Sequence, residues 1–149
     1  MLLVLEIGWK HHREILASLP GANSLAPQPE HVHSIDDARS FLSKTNQKYD
    51  IIVLDAYSKN YVPFHLMTLQ YYQLLYDRLT TPNGVIVSNQ LGSLDQEQDT
   101  SKLYRSVYKT MSQVFSPSAV YAFPLDVGNS NRVQNIMLVA IKKSSHTTI

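Results

Sequence analysis

The chain has 149 residues, the length of one domain, with 44% hydrophobic and 17% charged residues, a composition that supports a single packed core and argues against disorder. Thirteen Lys+Arg against twelve Asp+Glu leave a net charge of +1, so generic binding to nucleic acid or to an anionic membrane lacks its electrostatic motive. The absence of cysteine excludes a disulfide framework, a thiolate zinc site and a cysteine nucleophile.

Residues 2–7 read as a buried strand. The run is apolar, has no basic leader and meets Glu6 at once, so it is expected to be neither a signal peptide nor a membrane span. A helix is expected over residues 9–19, ended by Pro20-Gly21, followed by a loop at 22–29 in which Pro27 and Pro29 block regular structure. A short strand at 31–35 leads to a helix near 38–44, for which Asp36 or Asp37 is placed as a cap. Residues 49–55 (YDIIVLD) form the clearest strand; its unbroken apolar run suits a central strand covered on both faces.

After an irregular loop at 56–64, Leu66, Leu69, Tyr72, Tyr76 and Leu79 keep helical spacing. Pro82-Asn83-Gly84 is a turn and residues 85–88 are a strand. Leu103, Val107, Met111 and Val114 mark a further amphipathic helix, residues 119–123 and 135–141 are the closing strands, and the tail after Lys142 is polar. The order βαβαβαβαββ predicts an open, mostly parallel α/β sheet with helices on both faces and an antiparallel hairpin at one edge. Residues 1–143 are read as one domain and 144–149 as a polar tail.

Ligands of such sheets sit at the carboxyl ends of the strands, which directs attention to Glu6, Asp36 and Asp37, residues 55–58, and Asn89 with Gln90. A carboxylate at Glu6 can accept both hydroxyls of a ribose, or it is an ordinary strand-end acid. Asp37, before Ala38, can accept from an adenine amino group, or it only caps a helix. Asp55 ends the most hydrophobic strand and precedes Ala56-Tyr57-Ser58. Held there, its carboxylate can orient or deprotonate an amine; alternatively it bonds to loop amides. Tyr57 and Tyr61 are free to line a pocket. His31 and His33 share a strand face, with His11 and His12 nearby, but no HExxH spacing or recurring acidic interval accompanies them, and no metal site is expected. No glycine-rich cradle is found among the five glycines, although nucleoside sites of this kind usually have one.

Residues 49–93 (YDIIVLDAYSKNYVPFHLMTLQYYQLLYDRLTTPNGVIVSNQLGS) resemble the catalytic half of the spermidine synthase (polyamine aminopropyltransferase) family, in particular its spermidine-synthase-like branch with a VPFHL-type loop. Asp55 stands where that family opens its catalytic loop, Tyr71-Tyr72-Gln73-Leu74 where it has a Tyr-Tyr-Gln-Leu helix, and Pro82-Asn83-Gly84-Val85 where a turn leads to its fifth strand. Upstream, Glu6-Ile7-Gly8 and Asp36-Asp37-Ala38 keep the interval between the family's acidic motifs after its second and third strands. The sequence departs from the family at Gly8, which replaces an acid, at Asp36, which replaces a glycine, and at Ser58, which replaces the second catalytic-loop acid. No late pocket tyrosine falls between Pro124 and Val133.

The resemblance implies a Rossmann-like, class I methyltransferase-type fold that begins at the family's second strand, lacking the N-terminal hairpin domain, the first strand and the glycine-rich loop. That first strand lies between the second and fourth, so the expected outcomes are three: the chain is a fragment of a longer protein, it obtains a strand from a partner chain, or its sheet closes up so that the two apolar edges pair directly. In a rival register, residues 2–8 (LLVLEIG) are the first strand itself.

The implied reaction is transfer of an aminopropyl group from decarboxylated S-adenosylmethionine, a co-substrate rather than a bound cofactor, to a diamine such as putrescine. Asp55 is then the catalytic base, Glu6, Asp37 and Ala38 hold the nucleoside, and Tyr57, Ser58, Asn89 and Gln90 face the amine. The expected partners are a nucleoside co-substrate, a small polyamine and further copies of the chain, in a cytoplasmic protein. The alternatives are an S-adenosylmethionine-dependent methyltransferase on the same fold and a degenerate, non-enzymatic Rossmann-like domain that oligomerises.

Overall fold

The computed structural model describes residues 1–6, 38–55 and 64–143. The helix expected at 9–19, the strand at 31–35, and His11, His12, His31 and His33 lie outside these residues. The described elements are β1 (Leu2–Glu6), α1 (Ala38–Lys44), β2 (Ile51–Asp55), α2 (Leu69–Arg78), β3 (Val85–Gly92), α3 (Asp99–Phe115), β4 (Val120–Pro124) and β5 (Gln134–Ile141). They form one five-stranded sheet in the order β1-β2-β3-β5-β4. The first three strands are parallel, and β5 runs antiparallel to both β3 and β4, the edge hairpin expected from two closing strands with no helix between them.

β1 lies directly against β2, with Leu3 opposite Ile52 and Glu6 opposite Asp55. No strand separates them. The two apolar edges therefore meet, as they do in a closed-up sheet and equally in the register that makes β1 the first strand.

Side-chain alternation along the strands assigns the two faces. Leu3, Ile52, Leu54, Ile86, Ile136, Leu138 and Ala140 are buried beneath a layer built from α1, α2 and α3. At Gly92 that layer comes close to the sheet: a Cβ there would lie 2.6 Å from the Tyr104 ring and 3.0 Å from the Thr100 carbonyl oxygen. From α2 the layer contributes Tyr71, Tyr72 and Leu75, and from α3 Tyr104, Val107, Met111 and Phe115, with the edge of Tyr76 against Phe115 at 5.1 Å between centroids.

Two apolar faces differ from expectation. In α3, Val107 and Met111 are buried as expected, but Tyr104 and Phe115 join them in the core while Leu103 and Val114 are half-buried. The larger aromatic side chains fill the space and turn the helix by about one position. In α2, Leu66 belongs to a separate 3-10 turn at Phe64–Leu66, and the helix starts only after Thr68, whose hydroxyl accepts from the Tyr71 amide at 3.3 Å. Leu69, one residue inside that start, is 43% exposed.

The PNG turn before β3 is present, with Asn83 at a φ of 74°. A side chain at Gly84 would lie 2.7 Å from the Thr80 carbonyl oxygen and 2.8 Å from Leu79 Cβ, so the tight return into β3 requires glycine there.

Candidate functional site

Parallel strands bring their carboxyl ends to one rim, and β1, β2 and β3 are parallel. Asp55 is the last residue of β2 and is exposed at that rim. Its Cα partner across β1 is Glu6. On the other side the Asn89 side chain donates from Nδ2 to Asp55 Oδ1 at 3.2 Å. A carboxylate has only acceptors, so this contact settles which end of the amide faces it. The Asn89 carbonyl oxygen Oδ1 is left buried, with no hydrogen-bond partner among the described residues.

The same row continues across the sheet. Asn89 is paired with Met137, and Met137 with Phe123. Glu6, Asp55, Asn89, Met137 and Phe123 thus occupy five adjacent positions across five strands, acidic at one end and aromatic at the other. Beyond it along the strands come Val53, Val87, Val139 and Tyr121, and the Tyr121 and Phe123 rings stack with centroids 6.4 Å apart.

β3 runs to Gly92 rather than ending at Ser88, because its antiparallel pairing with β5 continues to Gln134. Asn89 and Gln90 are therefore strand residues and alternate in direction. Asn89 reaches the Asp55 side; Gln90 turns to the helical layer, 5% exposed, and donates to Ser88 Oγ at 2.8 Å. Of the residues proposed to face an amine, the fold brings Asn89 to Asp55 and takes Gln90 away from it. Ala38 is the first residue of α1, and the next residue, Arg39, donates to the His65 carbonyl at 3.3 Å, tying the start of α1 to the turn that precedes α2. Asp37, Tyr57, Ser58 and Tyr61 lie outside the described residues.

Sequence reading missed the fastening of the rim loops. Ser93 Oγ donates to the Ser130 carbonyl at 2.7 Å, the Asp95 amide donates to the same oxygen at 2.9 Å, and Gln98 Nε2 reaches the Asn131 carbonyl at 3.1 Å. The loop after β3 and the β4–β5 hairpin loop are thereby joined next to the strand end that carries Asn89. Gln134 closes the hairpin, donating to the Asp126 carbonyl at 2.7 Å and accepting from the Asp126 amide at 2.5 Å. Short polar residues in a loop give little sign of such partners in advance; the buried positions of Ser93 and Gln134 become evident only in three dimensions.

Among the described residues no group of three or more His, Asp or Glu side chains is placed to hold a metal ion, and no helix is long and apolar enough to cross a membrane.

Comparison with known proteins adds an independent line. The family described as spermine/spermidine synthase domain matches residues 10–143. The chain is 33% identical over 141 residues to a polyamine aminopropyltransferase of Vibrio vulnificus, covering 87% of this chain and 44% of that protein. It is 30% identical over 92 residues to a polyamine aminopropyltransferase of Saccharolobus solfataricus, covering 60% of this chain and 29% of that one. The chain thus spans less than half the length of these relatives. Among solved structures, spermidine synthase from Thermotoga maritima superposes with a TM-score of 0.62 at 20% identity, over 95% of this chain and 45% of that one. A probable spermidine synthase from Corynebacterium glutamicum gives 0.55 at 23% identity, over 77% and 40%. These structural likenesses establish the fold, a Rossmann-like α/β sheet.

Proposed function

The chain belongs to the spermine/spermidine synthase domain family, and from that premise we propose that it is the catalytic segment of an aminopropyltransferase, transferring an aminopropyl group from decarboxylated S-adenosylmethionine to a diamine such as putrescine. The observation that carries the reading is the placement of Asp55: exposed at the carboxyl rim, in register with Glu6 and hydrogen-bonded to Asn89.

In this reading the amine nitrogen forms the new bond to the aminopropyl methylene carbon. The carbon–sulfur bond breaks with its electron pair going to sulfur, so the sulfonium becomes the neutral thioether of methylthioadenosine. The proton released by the amine passes to the Asp55 carboxylate. Because the sulfonium already activates the carbon, the protein's task is to orient the amine and take its proton. Glu6, Asp37 and Ala38 are the nucleoside side of the site, Tyr57, Ser58 and Asn89 the amine side; Gln90 contributes through packing.

Residues 1–143 act as one domain in this proposal, in a cytoplasmic protein that assembles from several copies of the chain. The methyltransferase alternative is less favoured, since the family and the curated relatives matched by sequence carry the aminopropyltransferase description. The test is product formation: incubation with decarboxylated S-adenosylmethionine and putrescine should release spermidine and methylthioadenosine in equal amounts. Methyl transfer from S-adenosylmethionine to any amine, without aminopropyl transfer, would overturn the proposal.

A further inference from the structure

We infer that β4 is a docking edge for a second copy of this chain, pairing antiparallel with its own counterpart about a two-fold axis at Ala122. The inference names the surface behind the assembly proposed above and does not depend on the reaction assigned to Asp55. Among the described residues β4 is the outermost strand on its side of the sheet, with β5 as its inner neighbour. Tyr121 is 44% exposed, Phe123 55% and Leu125 80%, and residues 119–125 (AVYAFPL) carry no charge. Edge strands of proteins that stay single are usually guarded by lysine, by proline or by a bulge. Here proline stands only at the strand's end.

The backbone shows which groups face outward. The Leu125 amide donates to the Asn135 carbonyl at 3.1 Å, continuing the register of the Pro124–Ile136 pair. Residues 121, 123 and 125 therefore turn their N–H and C=O groups to β5, and residues 120, 122 and 124 turn theirs outward. A two-fold axis at Ala122 lets the two copies of that residue exchange both N–H···O=C bonds. It also sets Val120 of one copy opposite Pro124 of the other, so that the Val120 N–H donates to the Pro124 carbonyl. Pro124 has no N–H to return. The Val120 carbonyl needs none, since it already accepts from the Tyr108 hydroxyl at 3.4 Å. Every outward-facing group of the strand is satisfied in this register.

The side chains fit the same pairing. Tyr121 of one copy lies opposite Phe123 of the other, in a non-hydrogen-bonded pair, where side chains approach most closely. Two such pairs join the stacked Tyr121 and Phe123 rings into a cluster of four across the axis. On the helical side Ala122 meets its own copy and Val120 meets Pro124, all small side chains. Tyr121, Phe123 and Leu125 expose about 350 Å² of side chain per copy. With the edge backbone the joined surface totals about 1,000 Å², enough for a specific but dissociable dimer.

Sedimentation velocity of the purified full chain over a concentration series reads the assembly, and a monomer–dimer equilibrium in the micromolar range is expected. Ala122→Pro removes both bonds at the axis and spares the pairing with β5; Phe123→Lys places a charge among the rings. Each should raise the dissociation constant at least about tenfold, with circular dichroism establishing that the sheet is intact. The chain has no cysteine, so single cysteines report the register. Ala122→Cys, about 5.5 Å from its copy between Cα atoms, should be linked efficiently by a short bis-maleimide. Leu125→Cys, more exposed but about 20 Å from its copy, should not. A monomer at every concentration, as when another segment of this chain or a different protein occupies the edge, would overturn the inference. So would a dimer that survives both Ala122→Pro and Phe123→Lys, or linkage at 125 as efficient as at 122. Methylthioadenosine binding, measured on the same samples, tests the aminopropyltransferase reading separately.

Discussion

Lys142 Nζ lies 4.4 Å from the centroid of the Tyr76 ring and donates to the Tyr76 carbonyl at 2.9 Å and the Leu79 carbonyl at 3.1 Å. The carbonyls at a helix carboxyl end lack partners within the helix, and here a cation from the last residues of the sheet region supplies them while the ring covers its charge. One buried side chain thus binds the end of α2 to the end of β5.

Two consequences follow for Lys142. Lys142→Met leaves both carbonyls without this donor and should lower stability by about 1–2 kcal/mol in urea unfolding. Burial, with a smaller contribution from Lys48 and opposed by Asp77, lowers the ammonium's pKa. Between that lowered value and the ordinary value of about 10.4, the unfolded chain holds more protons than the folded one, so stability attributable to this group rises with pH across the window. Subtracting the Lys142→Met stability profile from the wild type's should reveal that rising slope above neutrality; a falling difference would contradict it.

Gly92 should tolerate no side chain. A Cβ there meets the Tyr104 ring at 2.6 Å and the Thr100 backbone oxygen at 3.0 Å, whereas a Cβ at Gly128 meets only Asp126 Oδ1 at 3.4 Å. Gly92→Ala should cost about 1–3 kcal/mol, since α3 must move away from β3, and Gly128→Ala should stay within about 0.5 kcal/mol. Chemical denaturation of the two variants side by side checks the contrast.

Asp55→Asn is nearly isosteric and still offers an oxygen to Asn89 Nδ2, so the rim should keep its shape and lose only its proton acceptor. Turnover should fall by about 10²–10⁴-fold with methylthioadenosine affinity unchanged. Unaltered turnover would remove Asp55 from the role assigned to it.

Ser58 stands where the resembled family has a second acid. Polyamines are multiply charged, and Ser58→Asp adds an opposite charge three residues after Asp55 in the sequence. The variant should bind putrescine several-fold more tightly at low salt, with the gain shrinking as salt is added. A titration at two ionic strengths measures both effects.

Much of this was legible in the sequence, for reasons tied to particular residues. The apolar run at 51–54 announced a covered strand, the acids at 36 and 37 announced the start of α1, and the apolar run at 135–141 announced β5. The sequence misled where polarity and pairing disagree. Ser88-Asn89-Gln90 reads as a strand leaving the sheet, yet β5 holds β3 by backbone hydrogen bonds through Gly92, and alternation then sends Asn89 and Gln90 to opposite faces. Lys142 reads only as the residue before a polar tail, because nothing local reveals that Tyr76 and the end of α2 lie beside it. The direct pairing of β1 with β2 was one of several outcomes left open, since side-chain pattern fixes what a strand buries and not which strand it meets.

Calorimetric titration of the purified chain with decarboxylated S-adenosylmethionine, S-adenosylmethionine and methylthioadenosine, each alone, tests whether the carboxyl rim of the sheet binds an aminopropyl donor. The decarboxylated form and methylthioadenosine should bind saturably, with the carboxylated form clearly weaker. Preference for the carboxylated form, or silence from all three, would contradict the aminopropyltransferase reading.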